Sequence, residues 1–298
     1  MIFGNVIISG KPNVGKSTLI NAIFNKKVSI VSRKPQTTRN QINKLFVTDK
    51  YSIMFYDTPG YHTPKNKLDL FLNYEVRKSL KIQDVTLFLF DPTRERDNED
   101  DVLLSELKKY KISKIILVVT KIDLVNFTDE IKQKIETLAI EINAFKTIYI
   151  SSLNDKDIQK LLTLIVENLD DIEELDVHQL NNMENDNDKI LISDTIREVI
   201  INNFRDEIPY SVGVKIESFN YEIEKKLFKI FAFIIVEKES QKPILIGKKG
   251  LMIKKIGMLS RAELETIYDS KIFLSLNVKV KENWRDSNSY LKEMGYIK

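Results

Sequence analysis

The stretch Gly10-Lys11-Pro12-Asn13-Val14-Gly15-Lys16-Ser17 limits most strongly what this chain can fold into. It fits the pattern G-x-x-x-x-G-K-[ST], and it sits between the apolar, strand-like NVIIS (5–9) and a helix-like segment over 16–25. Glycines let a backbone close around phosphate oxygens. The first turn of the following helix adds unpaired N–H groups and the positive end of its dipole. In such a loop Lys16 reaches the β- and γ-phosphates of a nucleotide, Ser17 ligates Mg2+, and Thr18 stands beside it in the same turn.

The residues around the loop support that context. Runs rich in Val, Ile, Phe and Tyr recur at 51–57, 85–91, 114–120 and 147–151, and helix-like segments at 68–81, 97–110, 128–143 and 155–169 separate them. Several of the runs are apolar almost throughout, as parallel strands buried on both faces are. The alternation predicts an α/β domain with a mostly parallel, doubly wound sheet. Strand-like 43–48 beside 51–57 predicts one antiparallel hairpin within it.

Two further motifs fall at the ends of predicted strands. Asp57-Thr58-Pro59-Gly60 places a carboxylate where it can hold Mg2+, usually through water, and a glycine N–H where it can meet a γ-phosphate. Thr120-Lys121-Ile122-Asp123 places a carboxylate where it can accept from guanine N1–H and the exocyclic amine, with Lys121 along the base. Adenine lacks that donor pair, so the site would select against it. Ser151-Ser152-Leu153, past the next strand, can offer a backbone N–H to guanine O6. Four motifs in this order specify a GTP/GDP site.

Composition changes after residue 169. Between Asp170 and Asp188 there are eight carboxylates, interleaved asparagines, and no Lys or Arg. The run reads as a solvated acidic linker over 171–190, joining a nucleotide domain at 1–170 to a second domain at 191–298. There the order differs: helix-like 193–204, strand-like 211–220 and 226–237, a glycine-punctuated helical stretch over 240–268, and strand-like 271–280. This is an α+β pattern. Gly247-Lys248-Lys249-Gly250 forms a tight turn before a helix, and lysines cluster around it, Lys254 among them. A GXXG turn before a helix is how KH domains clamp about four nucleotides of single-stranded RNA. Ile246 and Ile253 are equally suited to groove wall or to core.

Bulk properties exclude more than they assign. With 298 residues the chain suits one large domain or two ordinary ones, and its 43% hydrophobic and 30% charged residues describe a soluble protein with a sizeable core. A net charge of +3 carries no nucleic-acid claim by itself. The absence of cysteine removes disulfides, thiolate metal sites and Cys nucleophiles. The N-terminus has no cleavable signal, and no apolar run approaches the ~20 residues of a membrane span, so a cytoplasmic location is expected.

The phosphate loop GKPNVGKS, the segment PQTTRN (35–40), DTPGYH, TKID and SSL together resemble the Era family of GTPases. So do EIPYS (207–211), SQKPILIGKKG (240–250), MIKKIG (252–257) and VKVKENWR (278–285) in the second half. The resemblance runs from Gly4 to Tyr296. It implies a GTPase domain followed by a type II KH domain, GTP hydrolysis, and binding of small-subunit ribosomal RNA near its 3′ end in assembly of the small ribosomal subunit. Where Ras carries its catalytic Gln, the family has an apolar or aromatic residue, and Tyr61 matches that departure. The resemblance further implies that Asn13 helps hold K+ beside the phosphates, with the water positioned by backbone groups of the switch segments. Thr38 is the expected Mg2+ ligand from the switch segment, with Thr37 its competitor. Lys16, Asn13, Thr38 and Gly60 are then the catalytic set, and Ser17, Thr38 and Asp57 the metal set. Residues 246–250, Ile253 and Lys254 are the RNA set. His62 is read as packing in the switch rather than as a base. A weak peripheral membrane contact, sometimes associated with the family, has no clear signal here, and a monomer is expected. The alternatives are an RNA module that binds GTP without turning it over, and a signalling or cell-cycle GTPase that uses the KH-like domain to dock protein.

Overall fold

The computed structural model of the chain describes residues 2–32, 39, 41–60, 63–81, 83–110, 112, 114–170 and 177–297, with backbone alone over 177–187. The chain divides into two compact units. The second holds the residues from Asn182 onward together with the short segments 30–37 and 65–71.

In the N-terminal part, β1 (Ile2–Ser9) leads into α1 (Lys16–Phe24), followed by β2 (Ile42–Val47), β3 (Tyr51–Asp57), α2 (Lys67–Ser79), β4 (Val85–Phe90) and α3 (Asn98–Lys109). Then come β5 (Ile115–Val119), α4 (Asp129–Glu141), β6 (Lys146–Tyr149) and α5 (Asp155–Val166). The sheet order is β2-β3-β1-β4-β5-β6, parallel except for the β2–β3 hairpin. Successive residues of one strand point to opposite faces. Accordingly Val6, Ile8, Phe55, Leu87 and Val118 join a core with α1 and α5. Their neighbours Ile7, Met54, Phe88, Leu117 and Val119 join another core with residues of α2, α3 and α4. Two cores, one on each face, explain why these strands read as unbroken apolar runs. The doubly wound sheet and its hairpin are as the sequence predicts.

The second unit begins within α6 (Val177–Asn203) and continues with α7 (Ile208–Ser211), β7 (Gly213–Glu222), β8 (Leu227–Val236), α8 (Gln241–Ile246), α9 (Leu251–Tyr268), β9 (Lys271–Val280) and α10 (Asn288–Glu293). Its sheet order is β7-β8-β9, with β7–β8 antiparallel and β8–β9 parallel. Ile192, Ile196 and Ile200 of α6 pack with Ile230, Ala232 and Ile234 of β8 and with Ile256 and Leu264 of α9. Trp284 is fully buried and donates its indole N–H to the Ser211 carbonyl at 2.9 Å. Helix, two strands, two helices and a parallel third strand make the type II KH arrangement.

One expectation needs correcting. The stretch read as a solvated linker is helical from Val177, continuous with the helix predicted only over 193–204. No Gly or Pro interrupts 177–203. Extending an existing helix costs far less than starting one, so the packed half at 190–203 carries the polar half with it.

Candidate functional site: a nucleotide-binding loop and a GXXG turn

The phosphate loop depends on three left-handed backbone positions between β1 and α1. Gly10 has φ 145°, Asn13 φ 65° and Gly15 φ 106°. A Cβ on Gly10 would stand 2.8 Å from the Leu89 carbonyl oxygen, so only glycine fits there. Lys16, the first residue of α1, is buried and donates to the carbonyls of Gly10 at 2.8 Å and Lys11 at 2.7 Å. Burial depresses its pKa to about 8, against the opposing pull of Asp57.

Asp57 ends β3 beneath this loop and is fully buried. One carboxylate oxygen accepts from Ser29 Oγ at 2.8 Å and Ser17 Oγ at 3.3 Å. The other oxygen has no hydrogen-bond partner among the described residues. Burial pushes this carboxyl above its ordinary value, while Lys16 and the two hydroxyls pull it back. A buried carboxylate oxygen lacking a donor, beside a serine hydroxyl, is the donor set that a hard divalent cation takes. The residues present therefore fit Mg2+, held through Ser17 and Asp57, which would supply charge neutralisation at the phosphates.

The segment after Asp57 is tied down from both sides. Thr58 Oγ1 donates to the Ile8 carbonyl at 2.8 Å. Gly60 passes so near Pro12 that a Cβ would come within 2.7 Å of its ring. Thr37, Thr38, Tyr61 and His62 lie outside the described residues, as does most of PQTTRN.

The base-recognition segment is built from the ends of β5 and β6. Thr120 Oγ1 bonds the Val14 carbonyl at 2.8 Å. Lys121, at φ 56°, donates to the Asn13 carbonyl at 2.8 Å and to Asp91 at 2.5 Å. Burial alone would raise the pKa of Asp91, but Lys121 and Thr93 outweigh it and leave the carboxyl below its usual range. Asp123 is exposed in the short turn that follows. The Ser151 N–H donates to buried Asp157 at 3.0 Å and its Oγ accepts from the Leu153 N–H at 3.3 Å, which shapes the Ser151-Ser152-Leu153 turn.

The structure thus brings Gly10, Pro12, Asn13, Val14, Gly15, Lys16, Ser17, Asp57, Thr58, Gly60, Thr120 and Lys121 together. It does not bring the Lys11 side chain to them. That ammonium is buried against Asp97, Asp100 and Glu99 at the start of α3, so Lys11 faces the site with its backbone alone. Sequence reading missed Ser29, Asp91 and Asp157. Asp91 carried a signal, being a carboxylate directly after a predicted parallel strand; the other two are visible only through their partners.

In the second unit Gly247 has φ 73° and Gly250 φ 75°. A Cβ on Gly247 would meet Met252 Cβ at 2.6 Å and its backbone nitrogen at 2.9 Å. Gly250 caps the 18-residue α9, whose N-terminus is the positive end of its dipole. Lys248, Lys249 and Lys254 are exposed around it. Ile246 and Ile253 are half-buried, whereas Leu245 of α8 and Ile256 and Leu264 of α9 are core positions.

The sequence family described as 50S ribosome-binding GTPase matches residues 5–121, and the KH domain family matches residues 207–285. GTPase Era of Ureaplasma urealyticum serovar 10 is 43% identical over 294 residues, covering 99% of this chain and 97% of its own. GTPase Era of Ureaplasma parvum serovar 3 is likewise 43% identical over 294 residues, with the same coverage. A crystal structure of a tyrosine-to-alanine variant of Aquifex aeolicus Era bound to GDP·AlF4− superposes with TM-score 0.87 at 31% identity, with all of both chains covered. Era in complex with MgGDPNP and nucleotides 1506–1542 of 16S ribosomal RNA gives TM-score 0.88 at 32% identity, again with full coverage.

Fold and site together define a P-loop GTPase, an enzyme that hydrolyses the γ-phosphate of GTP, with a KH domain at its C-terminal end. The chain belongs to the Era family of GTPases.

Proposed function

We propose that the chain couples GTP hydrolysis to binding of small-subunit ribosomal RNA near its 3′ end, and thereby assists assembly of the small ribosomal subunit in the cytoplasm. The observation that carries this is the pairing, in one chain, of the nucleotide loop with the GXXG turn at the positive end of α9. A relative of 32% identity over the whole chain has been solved with MgGDPNP and nucleotides 1506–1542 of 16S ribosomal RNA together.

In this reading residues 1–170 are the GTPase domain and 191–298 the KH domain. Gly10 to Thr18, Asp57 to Gly60, Thr120, Lys121, Asp123 and Ser151 to Leu153 bind the nucleotide. Ser17, Asp57 and Thr38 hold Mg2+. Hydrolysis is in-line attack of water on the γ-phosphate, a reaction that depends on positioning and charge neutralisation more than on a base. Lys16 supplies one cation. With no Gln after Gly60, Asn13 supports K+ as another. The KH domain holds single-stranded RNA, with Lys248, Lys249 and Lys254 on phosphates and Ile246 and Ile253 under the bases.

The test is binding of a labelled RNA copying nucleotides 1506–1542 to the full chain, followed across salt concentrations. Replacing Lys248 and Lys249 by Gln should weaken binding and lower the salt slope by roughly 0.7 for each phosphate that is no longer neutralised. Tight RNA binding indifferent to both lysines would remove the GXXG turn from this account.

A further inference from the structure

The β7–β8–β9 sheet has a second face. Ile230, Ala232 and Ile234 of β8 and Ile272 of β9 point into the core with the helices. Alternation sends the residues between them to the other side. At one end of that side Ile235 is buried, with 4% of its surface exposed, but Phe231 and Phe273 are 42% and 48% exposed. Strand pairing sets Phe231 opposite Ser275 and Lys229 opposite Phe273, so the two rings meet diagonally, with centroids 5.7 Å apart and planes at 56°. A third ring, Phe233, lies next along β8, and the Lys279 ammonium sits 3.4 Å from its centroid.

Charge around these rings is mostly positive. Lys271 and Lys279 occupy exposed positions of β9 on the same side as Phe273. Lys229 joins them, half-buried and paired with Glu222 at 2.9 Å. Glu293 also lies within electrostatic reach of Lys279. Protein–protein interfaces keep aromatics at their centre but are depleted in lysine. Adjacent exposed rings with lysines between and beside them suit single-stranded nucleic acid instead. Each base offers a face that stacks on an aromatic, and each phosphate offers a charge for an ammonium.

We infer that the open face of this sheet, centred on Phe231 and Phe273, is a second RNA-contacting surface that stacks unpaired bases, with Lys271 and Lys279 on the phosphates. It extends the RNA-binding reading given above and rests on it. The GXXG turn lies at the N-terminal end of α9, whose 18 residues span about 27 Å at 1.5 Å per residue. Lys271 and Phe273 lie just beyond the other end of that helix, at the start of the edge strand β9. The two surfaces are therefore separate, and an RNA held at both must be longer than the four or so nucleotides of a GXXG clamp.

The test uses the full chain, the labelled RNA 1506–1542, and two sets of variants. Phe231→Leu with Phe273→Leu keeps apolar bulk on the strand and removes both stacking faces; it should weaken binding roughly ten-fold. In Phe273→Trp the new indole is exposed while the native Trp284 is fully buried, so RNA should quench its fluorescence. The quenching should persist at saturating RNA when Lys248 and Lys249 are also Gln. Unchanged affinity in the leucine variant together with no quenching would overturn the inference and turn the phenylalanines over to a protein partner, leaving the GXXG reading intact. Failure of the wild-type chain to bind the RNA at all would overturn the RNA reading and this inference with it.

Discussion

Ser29 donates its hydroxyl hydrogen to Asp57 across 2.8 Å, and both side chains are fully buried. Asn21 fixes the donor. Its Oδ1 accepts from the N–H groups of Val28 and Ser29, and its Nδ2 donates to the Ser29 carbonyl. A residue of α1 thereby holds the chain leaving that helix against the carboxylate that fits Mg2+.

Ser29→Ala removes one of the two serine hydroxyls that donate to a buried carboxylate. Removing a hydrogen bond to a charged group costs about 1.5–3 kcal/mol, so the nucleotide-free protein should be destabilised by that order. Chemical denaturation checks this. Added Mg2+ with GDP should raise the stability of the wild-type chain and the variant alike, since a ligand that binds only the folded state stabilises it.

Lys16 gives a pH dependence with a definite sign. Its folded-state pKa is about 8 against an ordinary 10.5, so above pH 8 the unfolded chain holds the proton more tightly. The Lys16 contribution to stability therefore rises between pH 8 and 10.5 in the nucleotide-free protein. Nucleotide affinity runs the other way, because phosphates need the charged lysine. GDP binding should weaken up to about ten-fold from pH 7 to pH 9. A Lys16→Arg variant, whose guanidinium stays charged, should bind more weakly overall but show a flatter profile over that range.

Asn13 predicts a cation requirement. Replacing K+ by Na+ should slow GTP hydrolysis in the wild-type chain, and Asn13→Ala should slow it to a similar level in either buffer. The variant's unchanged affinity for GDP would separate loss of the cation from damage to the loop. Equal rates in the two salts for the wild type would remove K+ from the mechanism.

The two glycines of the GXXG turn should differ. Both have positive φ, but only Gly250, at ψ 11°, lies in the left-handed helical region, where alanine meets a penalty of about 1–2 kcal/mol; Gly247, at ψ 173°, lies in a region that essentially only glycine enters. Gly247→Ala adds a collision with the Met252 backbone and Cβ, whereas Gly250→Ala meets nothing within 4 Å. Thermal unfolding should therefore show the larger drop for Gly247→Ala, by several degrees.

Legibility in the sequence followed the range of the physics. The order of strands and helices was readable because two cores, one on each face of the sheet, make β4 and β5 apolar at nearly every position. The phosphate loop was readable because Gly10, Gly15 and Lys16 answer to a local backbone need at fixed spacing. The first half of α6 was not, because residues 177–188 lack apolar periodicity and owe their helix to the packed segment after them. That the Lys11 side chain turns away from the loop was not legible, because only the folded chain brings Asp97 and Asp100 to it. Ser29 and Asp157 were invisible for the same reason: each acts on a partner, Asp57 or the Ser151 N–H, that sequence spacing alone does not assign. The open face of the β7–β9 sheet shows as alternation in β8 and β9, but which alternate side stays exposed is decided only in the folded chain.

The central claim is that RNA at the KH domain and GTP at the phosphate loop act on one another. The direct measurement is the rate of GTP hydrolysis by the full chain in potassium buffer, with and without the RNA 1506–1542. Clear stimulation by that RNA, abolished when Lys248 and Lys249 are replaced by Gln, is the result predicted. Hydrolysis at one unchanged rate, with the RNA demonstrably bound, would contradict the coupling and leave the KH domain as a tether for an independent GTPase.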